Sequence, residues 1–206
     1  MTSFLSPRAT NILIYGSALA IACFELAVFG MVLRPNVSER YQAYYITKTS
    51  TCWPRPAHEA IYELDRRITL AGNSMGSGAR SYLGCGWSEP EDWGTWSIGK
   101  EAALQLALST SSSDLILRTQ VQSFAGKRSE QKVEVFVDGA LTTTWVIPTG
   151  AVQEVEARIP KEATDDGYVL ITFKIAFPSS PAANKLSQDN RKLGIGMKWF
   201  SISRAD

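Results

Sequence analysis

Residues 132–147 read KVEVFVDGALTTTWVI, and they carry the clearest signal of the fold class. From Val133 to Val137 every second residue is a valine, which is the period of a strand with one buried face. Asp138-Gly139 follows, and this dipeptide favours the tight turn of a β-hairpin. Leu141–Ile147 then returns as a second strand, so the stretch predicts two antiparallel neighbours.

The same alternation recurs on both sides of this hairpin. Further strands are predicted at Ala102/Leu104/Leu106/Leu108, Leu115/Leu117/Thr119/Val121, Val155/Ala157/Ile159, Val169/Ile171/Phe173/Ile175/Phe177 and Lys192–Ser203. Seven or eight strands, with no helix long enough for a parallel crossover, predict an all-β domain over residues 81–206. The jelly-roll-like antiparallel sandwich is preferred to the immunoglobulin type, because the Cys-Trp-Cys spacing of the latter is missing.

The N-terminal segment is continuously apolar and does not alternate as the strands do. Ile12–Leu33 is a run of 22 almost entirely apolar residues, which as a helix spans a hydrocarbon core of ~30 Å. A cleaved signal peptide would have a shorter apolar core, and here Phe24–Leu33 continues where a mature chain should begin. We therefore expect one transmembrane helix within residues 1–34. A linker, residues 35–80, follows, with a short helix expected from the spacing of Ala57, Ile61, Leu64 and Ile68.

Two features of the expected anchor predict a membrane partner. Glu25 lies near its middle, where a carboxylate costs ~2.5–3.5 kcal/mol and should face protein or water, or be protonated. On a different side of the helix, small residues recur at spacings of four and three and would let another backbone approach. These are Gly16, Ala20, Cys23, Ala27 and Gly30. The alternative for Glu25 is a tolerated acid in a very apolar helix.

Composition excludes several classes of function. The net charge of +1 gives no electrostatic reason to expect nucleic acid as a partner. The presence of a single histidine, His58, argues against a His-rich metal site or a His-based triad, and no nucleophile–base pair stands out. We therefore expect no enzyme activity, no metal and no cofactor. Cys52 and Cys85 permit a disulfide in an oxidising compartment, although both can equally be reduced and buried.

Residues 86–99, GWSEPEDWGTWSIG, form the candidate site. One interpretation is packing, with the aromatic rings closing an end of the sandwich; we assign Trp96 to this structural role. The other is a glycan platform, in which aromatic faces stack on sugar rings and carboxylates accept hydrogen bonds from hydroxyls. Its residues would be Trp87, Glu89, Glu91 and Trp93. Glycoside hydrolysis is disfavoured, because Glu89 and Glu91 on one short turn could hardly flank a scissile bond.

The motif GWSxPExWGxWSxG at 86–99, with the ending FPSSP at 177–181 and SxDxRxLGI at 187–195, resembles a β-sandwich domain of bacterial envelope proteins. In that group the domain is commonly attached to multi-span membrane glycosyltransferases and related polysaccharide-assembly proteins. The resemblance covers about residues 80–204 and implies an envelope setting and a carbohydrate-related role. This chain departs from the usual arrangement because a single anchor replaces the polytopic enzyme. Asp189 and Arg191 of the second motif are expected to form a structural pair that pins their loop against the first motif.

Two features of the sequence disagree about the side of the membrane on which the C-terminal domain lies. Arg8 lies before the anchor, whereas Arg34, Arg40 and Lys48 lie after it, which tilts charge counting weakly toward a cytoplasmic C-terminal domain. The cysteine pair and the resemblance favour the opposite side, and we expect a bacterial inner-membrane protein with a periplasmic C-terminal domain. The expected function is a non-catalytic accessory subunit that binds or positions glycan for polysaccharide or glycoconjugate assembly. The alternative is a purely structural subunit of a membrane complex.

Overall fold

The computed structural model describes residues 7–33, 37, 41–48, 61–72 and 78–205. The chain divides into two compact units, residues 1–38 and 39–206. The first unit contains one α-helix, α1, at Pro7–Leu33. Within it Asn11–Leu33 has a mean hydropathy of 2.1 and is long enough to cross a bilayer. A helix of this length and composition, close to the N-terminus, fits a membrane anchor and a signal sequence alike.

The second unit is built from nine described strands in two antiparallel sheets. One sheet has the order β1-β9-β4-β7, with β2 also paired to β9, and the other has the order β3-β8-β5-β6. The strands are β1 Ile68–Thr69, β2 Thr95–Ile98, β3 Glu101–Ala107, β4 Leu115–Ser123, β5 Glu130–Val137, β6 Ala140–Pro148, β7 Val152–Ile159, β8 Tyr168–Ile175 and β9 Leu193–Arg204. The predicted all-β, jelly-roll-like sandwich preceded by an apolar helix is confirmed. Asp138 and Gly139 both have positive φ, as the predicted β5–β6 hairpin turn requires.

The core lies between the two sheets and is formed by the alternating positions. Leu117, Val135, Ile171, Phe173 and Phe200 are all fully buried in one apolar cluster. Each such side chain contributes ~1.5–3 kcal/mol when it leaves water, so this cluster supplies the main driving force for folding of the unit.

Strand β3 is buried on both of its faces, which its alternating pattern does not predict. Ala103 and Gln105, on the face away from the core, are 1% and 4% exposed. Its outer edge is also occupied, since the backbone N–H of Tyr62 donates to Ala107 O (2.7 Å) and that of Gly84 to Ala103 O (2.8 Å). The edge therefore presents few unpaired backbone groups that could template aggregation.

The prediction of a short helix around residues 57–68 is wrong for residues 61–68, the part that the structure describes. Residues 51–60 lie outside the described residues, but Ile61 forms a parallel bridge to Ala107 and Ile68 belongs to β1. The buried ring of Tyr62 packs against Phe200 of β9, and these long-range contacts override the local helical spacing. Short helical turns do occur elsewhere in the linker, at Gln42–Ile46 and Ala79–Tyr82.

Candidate functional site

The site begins with a small hairpin over residues 86–98. The backbone N–H of Ser88 donates to Trp96 O (2.8 Å), and that of Ile98 donates to Gly86 O (2.7 Å). Because side chains alternate across paired extended segments, this register directs Trp87 and Trp96 to opposite sides. The single tryptophan-rich cluster of the sequence is therefore divided between two faces.

Trp87 faces the core. Its indole N–H donates to Ala103 O (2.7 Å), and its ring meets the edge of Phe173 at 6.0 Å between centroids. The ring is half-buried against the main apolar cluster. This geometry is that of a packing residue, and a ligand-binding role for Trp87 stays a prediction.

Trp93 and Trp96 lie together on the outer face of the β9-containing sheet. Their ring centroids are 5.1 Å apart with planes at 70°, and both rings are half-buried. Gly196 lies beneath them, because a Cβ built there would come within 2.2 Å of Trp93 Cη2 and 3.1 Å of Trp96 Cε3. Any larger residue would lift the Trp93 ring away from the sheet, so the glycine is what allows this placement.

A charged network fixes the Trp93 ring from the side. The indole N–H of Trp93 donates to Glu91 Oε2 (3.0 Å), and Arg191 Nη2 donates to Glu91 Oε1 (2.9 Å). Arg191 also donates to Asp189 through Nε (3.0 Å) and Nη2 (2.6 Å). Hydrogen bonds from Arg191 hold the pKa of the Asp189 carboxyl below its usual range, and those to Asp189 and Glu91 raise the pKa of Arg191.

These contacts join the two sequence motifs. Arg191 spans from its own loop to Glu91 of the hairpin and also pairs with Asp189. How much this connection stabilises the unit stays a prediction. Glu91 has both carboxylate oxygens occupied by protein donors, so it orients the ring of Trp93 in addition to bordering the site.

Glu89 stands apart from this cluster. Its carboxylate pairs with Arg80, and both side chains are largely exposed, at 82% and 61%. An exposed pair of this kind contributes ~0–1 kcal/mol. Of the four residues predicted to bind ligand, the structure brings Glu91 and Trp93 together and places Trp87 and Glu89 elsewhere.

Several residues that form this surface could not be recognised as site residues from the sequence around them. Gly196 is the Cα partner of Trp96 in β2 and of Gln122 in β4. Three positions further along β9, past a bulge, Trp199 pairs with Gln120 and carries the guanidinium of Arg67 4.0 Å above its ring. Polar residues at alternate positions in β4 indicate an outward face, but not that tryptophans lie beside it.

No cluster of three His, Cys, Asp or Glu side chains suited to a metal occurs in the described part of the chain. Cys85 is disulfide-bonded, and Cys23 of α1 is free. Cys52, the expected partner of Cys85, lies outside the described residues, and the pairing stays a prediction.

No protein-family model matches the chain, and no curated protein matches it. Among solved structures, it is similar to the CBM36-1 domain of a multidomain xylanase from the hindgut metagenome of Trinervitermes trinervoides, with 14% identity and a TM-score of 0.40 over 68% of this chain and 99% of that one. A family 35 carbohydrate-binding module from an environmental isolate gives 15% identity and a TM-score of 0.36 over 72% and 95%. Latent PorU from Porphyromonas gingivalis gives 10% identity and a TM-score of 0.42 over 70% and 13%. Similarities this distant carry no argument about function.

Proposed function

We propose that this chain is a non-catalytic, membrane-anchored protein that binds glycan through Trp93 and its neighbours. One observation carries the proposal: the Trp93 ring lies against Gly196, has its N–H bonded to Glu91 and remains half-exposed. A ring held in one orientation loses little conformational freedom when a ligand stacks on it. Trp96, Arg191 and Asp189 supply a second aromatic ring and polar groups around it.

The proposed setting is the bacterial inner membrane, with α1 as the anchor and the sandwich in the periplasm. There the chain would act as an accessory subunit in polysaccharide or glycoconjugate assembly, beside a polytopic glycosyltransferase. Glu25 supports the presence of a partner, since an exposed carboxylate in the middle of an apolar span is costly in lipid. The small-residue stripe of α1, from Gly16 to Gly30, supports a second contact with a neighbouring helix.

The test of glycan binding is an array of neutral and bacterial surface polysaccharides probed with the full chain in detergent. Trp93→Ala should abolish the signal, because it removes the stacking surface, and Trp93→Phe should retain part of it. Val146→Ala, an exposed change on the other sheet, serves as the control and should bind like the unmodified chain. Binding that is unchanged in Trp93→Ala would place the ligand elsewhere and refute the proposed site.

A purely structural role in a membrane complex is the second candidate, favoured by Glu25 and the stripe of α1. Replacement of Glu25 by leucine removes the acid while keeping the helix apolar. If the acid holds a partner, Glu25→Leu should lower the yield of co-purified membrane proteins in mild detergent, whereas Leu26→Ile should not. Undiminished co-purification of every partner would count against a contact at Glu25.

A further inference from the structure

The surface around Trp93 continues across the sheet in register. Trp96 of β2, Gly196 of β9, Gln122 of β4 and Val152 of β7 are successive Cα partners and form one row. Partners in adjacent strands present their side chains on the same face, and the inward neighbours Val121 and Ser123 are buried. The row therefore lies on the outer face, beside the Trp93 ring.

A second row runs parallel to the first. Trp199, Gln120 and Glu154 are Cα partners across β9, β4 and β7. Trp199 lies under Arg67, whereas Gln120 is half-exposed and Glu154 is exposed. Together the two rows cover four strands, which is roughly 14 Å at ~4.8 Å per strand spacing.

The two glutamines give this face its hydrogen-bonding character. Among the described residues, the side-chain amides of Gln120 and Gln122 make no hydrogen bond within the protein. Each amide can donate and accept at once, as a sugar hydroxyl also can. Val152, at the far end of the first row, is 60% exposed and adds an apolar surface beside them. The two adjacent rows thus combine an aromatic pair, two amides and an aliphatic side chain on one face.

Charged side chains of both signs lie on and beside this face. They include Arg67, Arg118, Arg191 and Lys198, and Glu91, Asp189, Glu154 and Glu156. Most are already engaged: Arg118 pairs with Glu156 (2.7 Å), and Arg191 pairs with Glu91 and Asp189. Charges that are already paired with one another offer little electrostatic advantage to a charged ligand.

We infer that the ligand is an extended, uncharged glycan chain that lies across β2, β9, β4 and β7, with Trp93 stacked on one sugar and Gln122 and Gln120 bonded to others. This inference rests on the proposed function and specifies its ligand class. It assigns Gln122 and Gln120 as binding residues that read hydroxyl groups at a distance from the stacked ring. A single sugar would reach only the Trp93 end of the rows.

The experiment is isothermal titration of the full chain in detergent with cellohexaose, xylohexaose and mannohexaose, the matching monosaccharides, and an oligogalacturonate as the acidic probe. We expect at least one neutral hexasaccharide to bind, and its monosaccharide and the acidic probe to bind far more weakly. Gln122→Ala and Gln120→Ala should each weaken hexasaccharide binding about three- to tenfold, the value of one hydrogen bond. Thr144→Ala, an exposed change on β6, should leave it unchanged.

The outcomes separate the inference from the proposed function. Equal affinity for monosaccharide and hexasaccharide, preference for the acidic probe, or indifference to both glutamine changes would overturn the extended neutral chain while leaving binding at Trp93 intact. If none of the probes binds, the proposed glycan-binding function itself is refuted. Melting temperatures of the variants should match that of the unmodified chain, because both glutamines are outside the core.

Discussion

The hydrogen bonds of the Tyr62 hydroxyl provide a test of how much the contact between the linker and strand β9 stabilises the fold. Its side chain is 2% exposed, its oxygen accepts the backbone N–H of Ile202 at 2.8 Å, and its O–H donates to Arg66 O. Tyr62→Phe keeps the ring against Phe200 but leaves the Ile202 N–H in β9 without its acceptor. An unsatisfied buried donor costs ~1–3 kcal/mol. At ~2–4 °C per kcal/mol, the melting temperature should fall by about 2–12 °C.

The same hydroxyl predicts a dependence on alkaline pH. Burial raises the pKa of Tyr62 from 10.0 to about 12, because it disfavours the phenolate. Because this pKa is higher in the folded than in the unfolded state, the hydroxyl makes its full contribution to the free energy of unfolding below pH 10. That contribution is lost as the pH rises through 12. By pH 11 the free energy of unfolding of the unmodified chain should have fallen by roughly 1 kcal/mol relative to that of Tyr62→Phe.

The assay is urea unfolding of the full chain in detergent at pH 8, 10 and 11. The stability gap between the unmodified chain and Tyr62→Phe should narrow as pH rises. Tyr82→Phe, whose hydroxyl makes no hydrogen bond among the described residues, is the control at pH 8 and should lose less stability than Tyr62→Phe. Parallel pH curves for the unmodified chain and Tyr62→Phe would contradict this prediction, since they would mean that the hydroxyl titrates alike in the folded and unfolded states.

Two further predictions concern the hairpin and the loop that it meets. Gly86→Ala should destabilise the fold by ~1–3 kcal/mol, because φ is +81° and the new Cβ would lie 2.0 Å from Glu101 O. Gly99→Ala, at φ +82° with open space around it, is the matched control, and an equal loss of stability in both would show that the collision is unimportant. Asp189→Ala should lower the melting temperature by up to about 4 °C, the scale of a partly exposed ion pair. Because the pKa of Asp189 is lowered, its contribution is present above about pH 4 and lost in more acidic solution, so thermal melts of both chains should converge there.

Much of the fold can be predicted from the sequence because its signals are local. The valine alternation of residues 133–137 and the Asp138-Gly139 turn each involve neighbours in the chain, and both are present as predicted. The apolar run ending at Leu33 likewise forms one helix. Where the local signal competes with long-range packing it fails, as at Ile61, whose helical spacing gives way to a bridge with Ala107.

Two features follow from the amino-acid sequence alone: sheets of alternating strands, and the combination of aromatic rings with acids at residues 86–99. The face on which each ring lies depends on the folded chain: Trp87 packs on Phe173, whereas Trp93 lies on Gly196, about a hundred positions along the chain. The difference arises because alternation records which residues leave water, while strand register and the β9 bulge set which of them meet.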